Sequence, residues 1–191
     1  MDVVLQDGST FTGTVRNGIP HGKGTWSNNV ASFSSVFDKG VPGSRAEILY
    51  SNGLKFEGEV KNGEPVRGIL SAASLGVYTG DLDGTTPHGE GEWVHKNGSR
   101  YIGSFRRGKM HGSGEYHGAD GSLYKGEYCD DEKHGKGLQS FANGDSYEGE
   151  FYHDKMEGVG RFVSKEKGLT IHGKFRDGKF ISRIREKKPG S

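Results

Sequence analysis

Cysteine is nearly missing from this chain of 191 residues: Cys129 stands alone. One thiol cannot close an internal disulfide, so the disulfide-stapled secreted scaffolds are excluded and a reducing compartment is expected. Charge of one sign is missing as well, since 26 Lys and Arg meet 25 Asp and Glu. That balance removes the strongly charged disordered class. It also removes the basic stripe on which nucleic-acid binding depends, so no nucleic acid is expected as a partner. No apolar run approaches the ~18 residues of a membrane-spanning helix. The opening MDVVLQDGS has neither the basic nor the apolar stretch of a secretory signal. A soluble, cytoplasmic chain is the expectation. Aliphatic residues are few: Leu, Ile, Val and Phe make about a fifth of the chain, too little to fill a thick core of ordinary type.

Glycine is the opposite. The chain has 34 glycines and only 5 prolines, whereas glycine in an average chain is about 7% of residues. Collagen is excluded because no three-residue step is present. The glycines instead follow a longer period. An aromatic or apolar residue, then Gly two later and an apolar residue four later, occurs at Phe11-Gly13-Val15, Phe56-Gly58-Val60, Tyr78-Gly80-Leu82 and Tyr101-Gly103-Phe105. It returns at Tyr124-Gly126-Tyr128, Tyr147-Gly149-Phe151 and Ile171-Gly173-Phe175, with Phe33-Ser35-Phe37 as a degenerate copy. The units start at 11, 33, 56, 78, 101, 124, 147 and 171.

Each unit has a second half. His-Gly-x-Gly begins at His21, His88, His111 and His134, becoming Glu157-Gly158-Val159-Gly160 in the seventh unit, and an aromatic follows at Trp26, Trp93, Tyr116 and Phe162. A turn dipeptide then precedes the next aromatic: Asn52-Gly53, Asn97-Gly98, Asp120-Gly121 and Asn143-Gly144. Asn-Gly and Asp-Gly are the strongest short hairpin signals, because both residues of the tight turn need φ > 0. Units two and three lose glycines, with Ser35, Ser44, Ala46, Arg67 and Ile69 in their places. The trough described next is expected to be filled or bent there.

Period-two alternation sets the faces. The first aromatic, the Gly and the second apolar residue share one face; polar pairs such as Glu57/Glu59 and Glu148/Glu150 take the other. A loop over the seventh to tenth residues of the unit pairs Phe105 with Gly112, Gly103 with Gly114 and Tyr101 with Tyr116. Gly pairs then align into a trough with aromatic walls roughly 13 Å apart, wide enough for an α-helix of about 10–12 Å. Two uses of the glycines follow, and they are compatible. They floor a groove for a partner segment, or they let the aromatic opposite fold down over bare backbone. The groove residues are Tyr78, Leu82, Trp93, Tyr101, Phe105, Tyr116, Tyr124, Tyr128, Tyr147, Phe151 and Phe162.

The pattern Y-x-G-x-F-x-x-G-x-x-H-G-x-G-x-W/Y/F, repeated about every 23 residues, resembles the MORN-repeat family over nearly the whole chain and best from Tyr78 to Phe162. The choline-binding cell-wall repeat is a comparable hairpin solenoid but lacks the His-Gly-x-Gly element. The resemblance implies an all-β fold: an elongated, single-layer antiparallel solenoid of β-hairpin repeats over residues 1–184, with a basic tail at 185–191. It opens on a half-hairpin in which Val3 stands where Trp26 and Tyr116 stand. The resemblance further implies a scaffold in cytoskeletal, ciliary or membrane-junction settings. It binds protein or phospholipid, and self-association as a homodimer through a terminal repeat is known in the family. Lipid kinases and a lysine methyltransferase carry such repeats as modules.

Catalytic chemistry is not evident, and the chain is expected to be no enzyme. No Walker sequence or nucleophile motif stands out, and Gly-x-Gly follows a hairpin loop rather than opening a helix. Successive ladder histidines, two strands apart, are about 9–10 Å from each other, whereas one zinc needs its ligands at about 2 Å. No metal and no cofactor is therefore expected; each His is read as closing its own hairpin loop. Cys129 is read as an isolated thiol. Lys179, Arg183, Arg185, Lys187 and Lys188 form a basic end with three open readings: anionic lipid binding, protection of a sheet edge, or plain solvation.

Overall fold

The computed structural model describes residues 2–4 and 8–184, and every regular element among them is a β-strand. The all-β, one-layer hairpin architecture expected from the repeat is what forms. The chain divides into two compact units, one up to Lys96 and one from Asn97.

The first unit holds β1 (Asp2–Val4), β2 (Thr10–Arg16), β3 (Ile19–Ser27), β4 (Ala31–Asp38) and β5 (Val41–Tyr50), followed by β6 (Lys55–Lys61), β7 (Glu64–Ala72), β8 (Gly76–Asp83) and β9 (Thr86–Val94). Each pairs antiparallel with the next. Val3 faces Phe11 as Tyr116 faces Tyr124. The second unit holds β10 (Arg100–Arg106), β11 (Lys109–His117), β12 (Leu123–Cys129), β13 (Glu132–Ser140), β14 (Ser146–Tyr152), β15 (Lys155–Ser164), β16 (Leu169–Arg176) and β17 (Lys179–Arg183), again antiparallel in chain order.

Burial alternates along the strands. In β6, Phe56, Gly58 and Val60 are buried while Glu57 and Glu59 are exposed. The core is therefore one face of a sheet, and the other face is solvated, as an antiparallel sheet permits.

The register corrects one expectation. Tyr101 pairs with Tyr116 and Gly103 with Gly114, but Phe105 pairs with Met110 rather than Gly112. The hairpin turn is only Arg107-Gly108, both with positive φ (53° and 80°), the signature of a type I′ turn. The strand starts earlier than the four-residue loop allowed. Its surplus residues, His111 to Ser113, are taken up in a bulge at Gly112 (φ 73°) opposite Ser104. The Asn-Gly and Asp-Gly dipeptides between units are built differently. At Asn97-Gly98 only the Gly has positive φ, and Asn97 Oδ1 accepts the Ser99 amide at 3.0 Å, an Asx turn.

The same correction applies in unit three. Gly58 pairs with Gly68, not Ile69, because the bulge there is one residue shorter. The glycine pair survives a shift that a fixed-length template misses. In unit two it is lost, and Ser35 pairs with Ala46.

A second regularity concerns the residue opposite the second apolar position. In the first unit it is Pro20, Pro42, Pro65 and Pro87, paired with Val15, Phe37, Val60 and Leu82. In the second unit it is Met110, Lys133 and Met156. This residue points its backbone at the next hairpin's turn: Gly40 N donates to Pro20 O (2.9 Å) and Asp131 N to Met110 O (2.9 Å). Proline has no amide to satisfy there. Where Met110 and Lys133 supply one, a carboxylate of the next turn accepts it: Asp131 at 2.7 Å and Asp154 at 2.9 Å. Those aspartates stand at positive φ (78° and 64°) where Gly40 and Gly63 serve in the first unit. Asp131→Gly and Met110→Pro are each expected to lower stability by about 0.5–1.5 kcal/mol. The double variant, which rebuilds the first unit's arrangement, is expected to recover most of the loss. Urea denaturation of the four-member cycle measures this, and strict additivity of the two losses would overturn the coupling.

Candidate functional site

Among the described residues, the aromatic rings lie down over the glycines. A Cβ on Gly137 would stand 2.5 Å from Tyr124 Oη, and methyls on Gly91, Gly114 and Gly160 would clash likewise with Tyr78, Tyr101 and Tyr147. Each phenol then reaches a carbonyl three residues on, at the bulge. Tyr78 donates to Asp81 O at 2.6 Å, Tyr101 to Ser104 O at 3.0 Å, Tyr124 to Glu127 O at 3.0 Å and Tyr147 to Glu150 O at 3.2 Å. The acidic side chains at the same point turn outward and accept bulge amides: Glu90 N from the strand opposite donates to Asp81 (3.2 Å), Lys136 N to Glu127 (3.0 Å).

Of the eleven expected groove residues, Tyr78, Leu82, Tyr101, Phe105, Tyr124, Tyr128, Tyr147 and Phe151 are buried, none more than 7% exposed. They are the core, and the rings of Tyr78, Tyr101, Tyr124 and Tyr147 occupy the glycine floor. Trp93, Tyr116 and Phe162, on the strands opposite, are half-buried and form the accessible part of the set.

In the second unit the rings make one edge-to-face series. Tyr101 meets Phe105 at 5.0 Å and Tyr128 at 5.2 Å; Tyr124 meets Tyr128 and Phe151 at 5.1 Å each; Tyr147 meets Phe151 at 5.2 Å and Phe175 at 4.9 Å. Every first aromatic thus touches the second of its own hairpin and of the next. Such pairs contribute about 0.5–1.5 kcal/mol each beyond burial. One step of the row is polar. Gln139 replaces the aromatic facing Tyr147, is 5% exposed, and donates to Leu123 O and Ser140 O at 3.1 Å. Its Oε1 accepts Lys133 Nζ, which lies 5.0 Å from the centre of the Tyr124 ring. Burial pulls the Lys133 ammonium below its ordinary value, Asp154 opposing.

The first unit opens where glycine is lost. Ser35 and Ala46 fill the floor, so Phe33 cannot lie down; it stays half-buried, 6.5 Å from Phe37. The result is a hollow of about 410 Å³ lined by Trp26, Phe33, Pro42, Ile48 and Tyr50, among others. The Trp26 indole nitrogen is buried and has no hydrogen-bond partner; in Trp93 the same group reaches Leu75 O at 3.4 Å. Units two and three were expected to be filled or bent. In unit two the floor is filled and a recess opens beside it on the aromatic face, whereas unit three keeps the pair Gly58 and Gly68.

The family comparison decides what this repeat is. The MORN repeat model matches residues 11–29, 101–123, 124–146 and 147–166. These four segments are MORN repeats. No curated protein matches the chain. MORN repeats are non-enzymatic and in general engage protein or membrane lipid. Each matched unit has its aromatic on an intact glycine pair, as do the third and fourth units, which the model does not match; the second unit, where that pair is Ser35 and Ala46, is unmatched as well.

His21 and His111 turn to the following hairpin rather than to their own loop. His21 Nδ1 lies 3.4 Å from Asp38 Oδ1 and His111 Nδ1 3.6 Å from Asp130 Oδ1, both in the following hairpin. The expectation of no metal ligand rested on the distance between histidines. It missed a thiol and a carboxylate coming beside one of them: ligand atoms of His111, Cys129 and Asp130 all lie within 4.8 Å of one another. Lys179 and Arg183 are exposed on β17 with Phe180 and Ile181. Arg185, Lys187 and Lys188 lie outside the described residues.

The buried phenols set a pH limit. Burial pushes Tyr78 and Tyr147 from 10.0 up to about 12 and drives Tyr124 and Tyr128 higher. A raised folded pKa means the native state holds its proton where the unfolded chain has lost it, so the stabilisation is complete below 10 and disappears as pH rises through the folded value. Stability is expected to fall steadily above pH 10. Tyrosinate absorbance followed together with circular dichroism should show these phenols ionising only as the sheet melts. Ionisation of all of them with the sheet intact would contradict their burial.

Proposed function

We propose that this MORN-repeat chain is a non-enzymatic protein–protein interaction scaffold that takes a helical or extended segment of a partner on its aromatic face. The observation that carries it is the recess at Trp26, Phe33, Ile48 and Tyr50, with a buried indole N–H that has no partner. A peptide segment brings both complements: an apolar side chain for the recess and a carbonyl for the donor. In the second unit Tyr116 and Phe162 offer half-buried ring edges above a rigid core. The setting is a cytoskeletal, ciliary or membrane-junction assembly, and a homodimer through a terminal repeat belongs to the same reading. Affinity capture from the native cell tests it with three chains: the intact protein, Phe33→Ser, and Tyr116→Ser with Phe162→Ser. Loss of at least tenfold of the recovered partner by either variant, with the circular dichroism spectrum unchanged, is the expected result. Equal recovery by all three sinks the reading.

A second reading has its own observation. On β17 the basic Lys179 and Arg183 flank Phe180 and Ile181, which are 42% and 57% exposed. Cations beside exposed apolar groups suit an anionic phospholipid surface, at about 1 kcal/mol per cation near it. Under this reading the protein sediments with phosphatidylserine vesicles at low salt, and removal of residues 182–191 abolishes it. Failure of the intact chain to sediment ends this alternative.

A further inference from the structure

We propose that His111, Cys129 and Asp130 form a binding site for a divalent transition-metal cation of the zinc class. The hairpin repeat brings the three together. Gly112 pairs with Tyr128 across β11 and β12, which places His111, one residue earlier, level with Cys129, one residue later. The end of that ladder is clamped twice, by Met110 N donating to Asp131 Oδ1 (2.7 Å) and Asp131 N donating to Met110 O (2.9 Å). Asp130, held at φ 51° in the turn, is the next residue on.

The chemistry of the set matches the cation. A thiolate, an imidazole and a carboxylate are the three ligand types zinc uses, and three protein ligands leave a fourth, tetrahedral position for water. Mg2+ and Ca2+ favour oxygen-only sites, so a sulfur and a nitrogen in one trio select against them. The ligand atoms lie within 4.8 Å of one another. A tetrahedral zinc holds its ligands about 3.5 Å apart, so closure of roughly 1 Å suffices, within reach of side-chain rotation at the half-buried Cys129 and exposed Asp130.

An independent observation points the same way. The His111 Nδ1 atom is buried without a hydrogen-bond partner; its 3.6 Å from Asp130 Oδ1 is beyond hydrogen-bond reach. A buried, unpartnered polar nitrogen is costly, and a coordinated cation satisfies it. The neighbouring steps of the ladder lack the set. His21 meets Asp38 with no thiol nearby, and His134 meets the rings of Tyr152 and His153. Among the described residues Arg106 is the cation in contact with Asp130, its Nη2 3.2 Å from Oδ1. It holds Oδ1, the same oxygen that faces His111 Nδ1, so a cation competes with it there.

The test uses the full chain, stripped with a chelator and titrated with Co2+ and then Zn2+. One cobalt per chain is expected, with a near-ultraviolet sulfur-to-cobalt charge-transfer band that Zn2+ erases. Cys129→Ser should remove the band and weaken binding at least tenfold. His111→Asn should also weaken it at least tenfold, and His21→Asn should leave it unchanged. Arg106→Gln, which frees Asp130, should tighten it. Melting curves recorded without metal show whether each variant folds, and the serine for a half-buried thiol keeps the test decisive if His111→Asn does not. Cobalt bound without a sulfur band, equal affinity in Cys129→Ser, or no binding at millimolar cobalt overturns the site.

Discussion

An aromatic ring lying flat on two glycines is the contact from which the rest of this structure follows. A one-layer sheet has no second sheet or helix to cover its apolar face, so the rings must cover the backbone themselves. They can do so only where neither of two paired residues carries a Cβ. Tyr124 over Gly126 and Gly137, with its hydroxyl donated to Glu127 O, shows the whole unit: burial, close approach and a satisfied polar end in one side chain. The ring so laid down then offers its edges and face to the two neighbouring second aromatics. Packing therefore extends along each compact unit through hairpin neighbours, in the manner of repeat proteins whose stability is a sum of nearest-neighbour terms.

Backbone polar groups impose the second constraint. A bulge is needed to bring the carbonyl three residues on under the phenol, and a bulge leaves amides without ladder partners. Asp81 and Glu127 accept two of these. The amide after the tight turn is dealt with in two ways, by deletion in proline or by an aspartate from the next turn. Proline at this site stiffens the unfolded chain, which favours the native state; aspartate at positive φ spends some of its gain on an unfavourable backbone. The second way ties each hairpin to the next by a side chain as well as by the ladder. That tie is what sets His111 beside Cys129 and Asp130.

Much of the fold was legible in the sequence, because a strict period repeats the same evidence in each unit. The pairs Tyr101–Tyr116 and Gly103–Gly114 follow from alternation alone. The turn end was not legible to a fixed template. Asn17-Gly18 and Asn62-Gly63 signal a tight turn of two residues, yet their halves of the unit carry surplus length that a bulge, invisible to period-two counting, absorbs. The proline step of 20, 42, 65 and 87 was also in plain view and marks which residue faces the next turn. The face that carries the aromatic residues was legible; the depth of their rings on it was not. Alternation says that Tyr101 and Phe105 share a face with Gly103; it cannot say whether a ring stands as a wall or lies as a floor. That depends on the close approach between ring and backbone. The grouping of His111 with Cys129 and Asp130 was missed for a related reason, since histidines were compared with one another along the period and not with the residues across the next strand.

Under the proposed scaffold function, the ring-on-glycine contact also limits where a partner can act. A ring that holds the backbone together is not free to change its surroundings without loss of the fold, so the buried series is a poor place for variation in binding. The positions less bound to the fold are the half-buried Tyr116 and Phe162 on the opposite strand, and any unit in which the glycine pair is lost. Unit two is such a unit: two small side chains raise the floor, Phe33 stands up, and a recess forms beside the unpartnered Trp26 indole. Departure from the repeat pattern is therefore not decay of a structural unit there. It turns a ring from floor to wall, which the intact repeat cannot do, and so opens a recess beside Trp26.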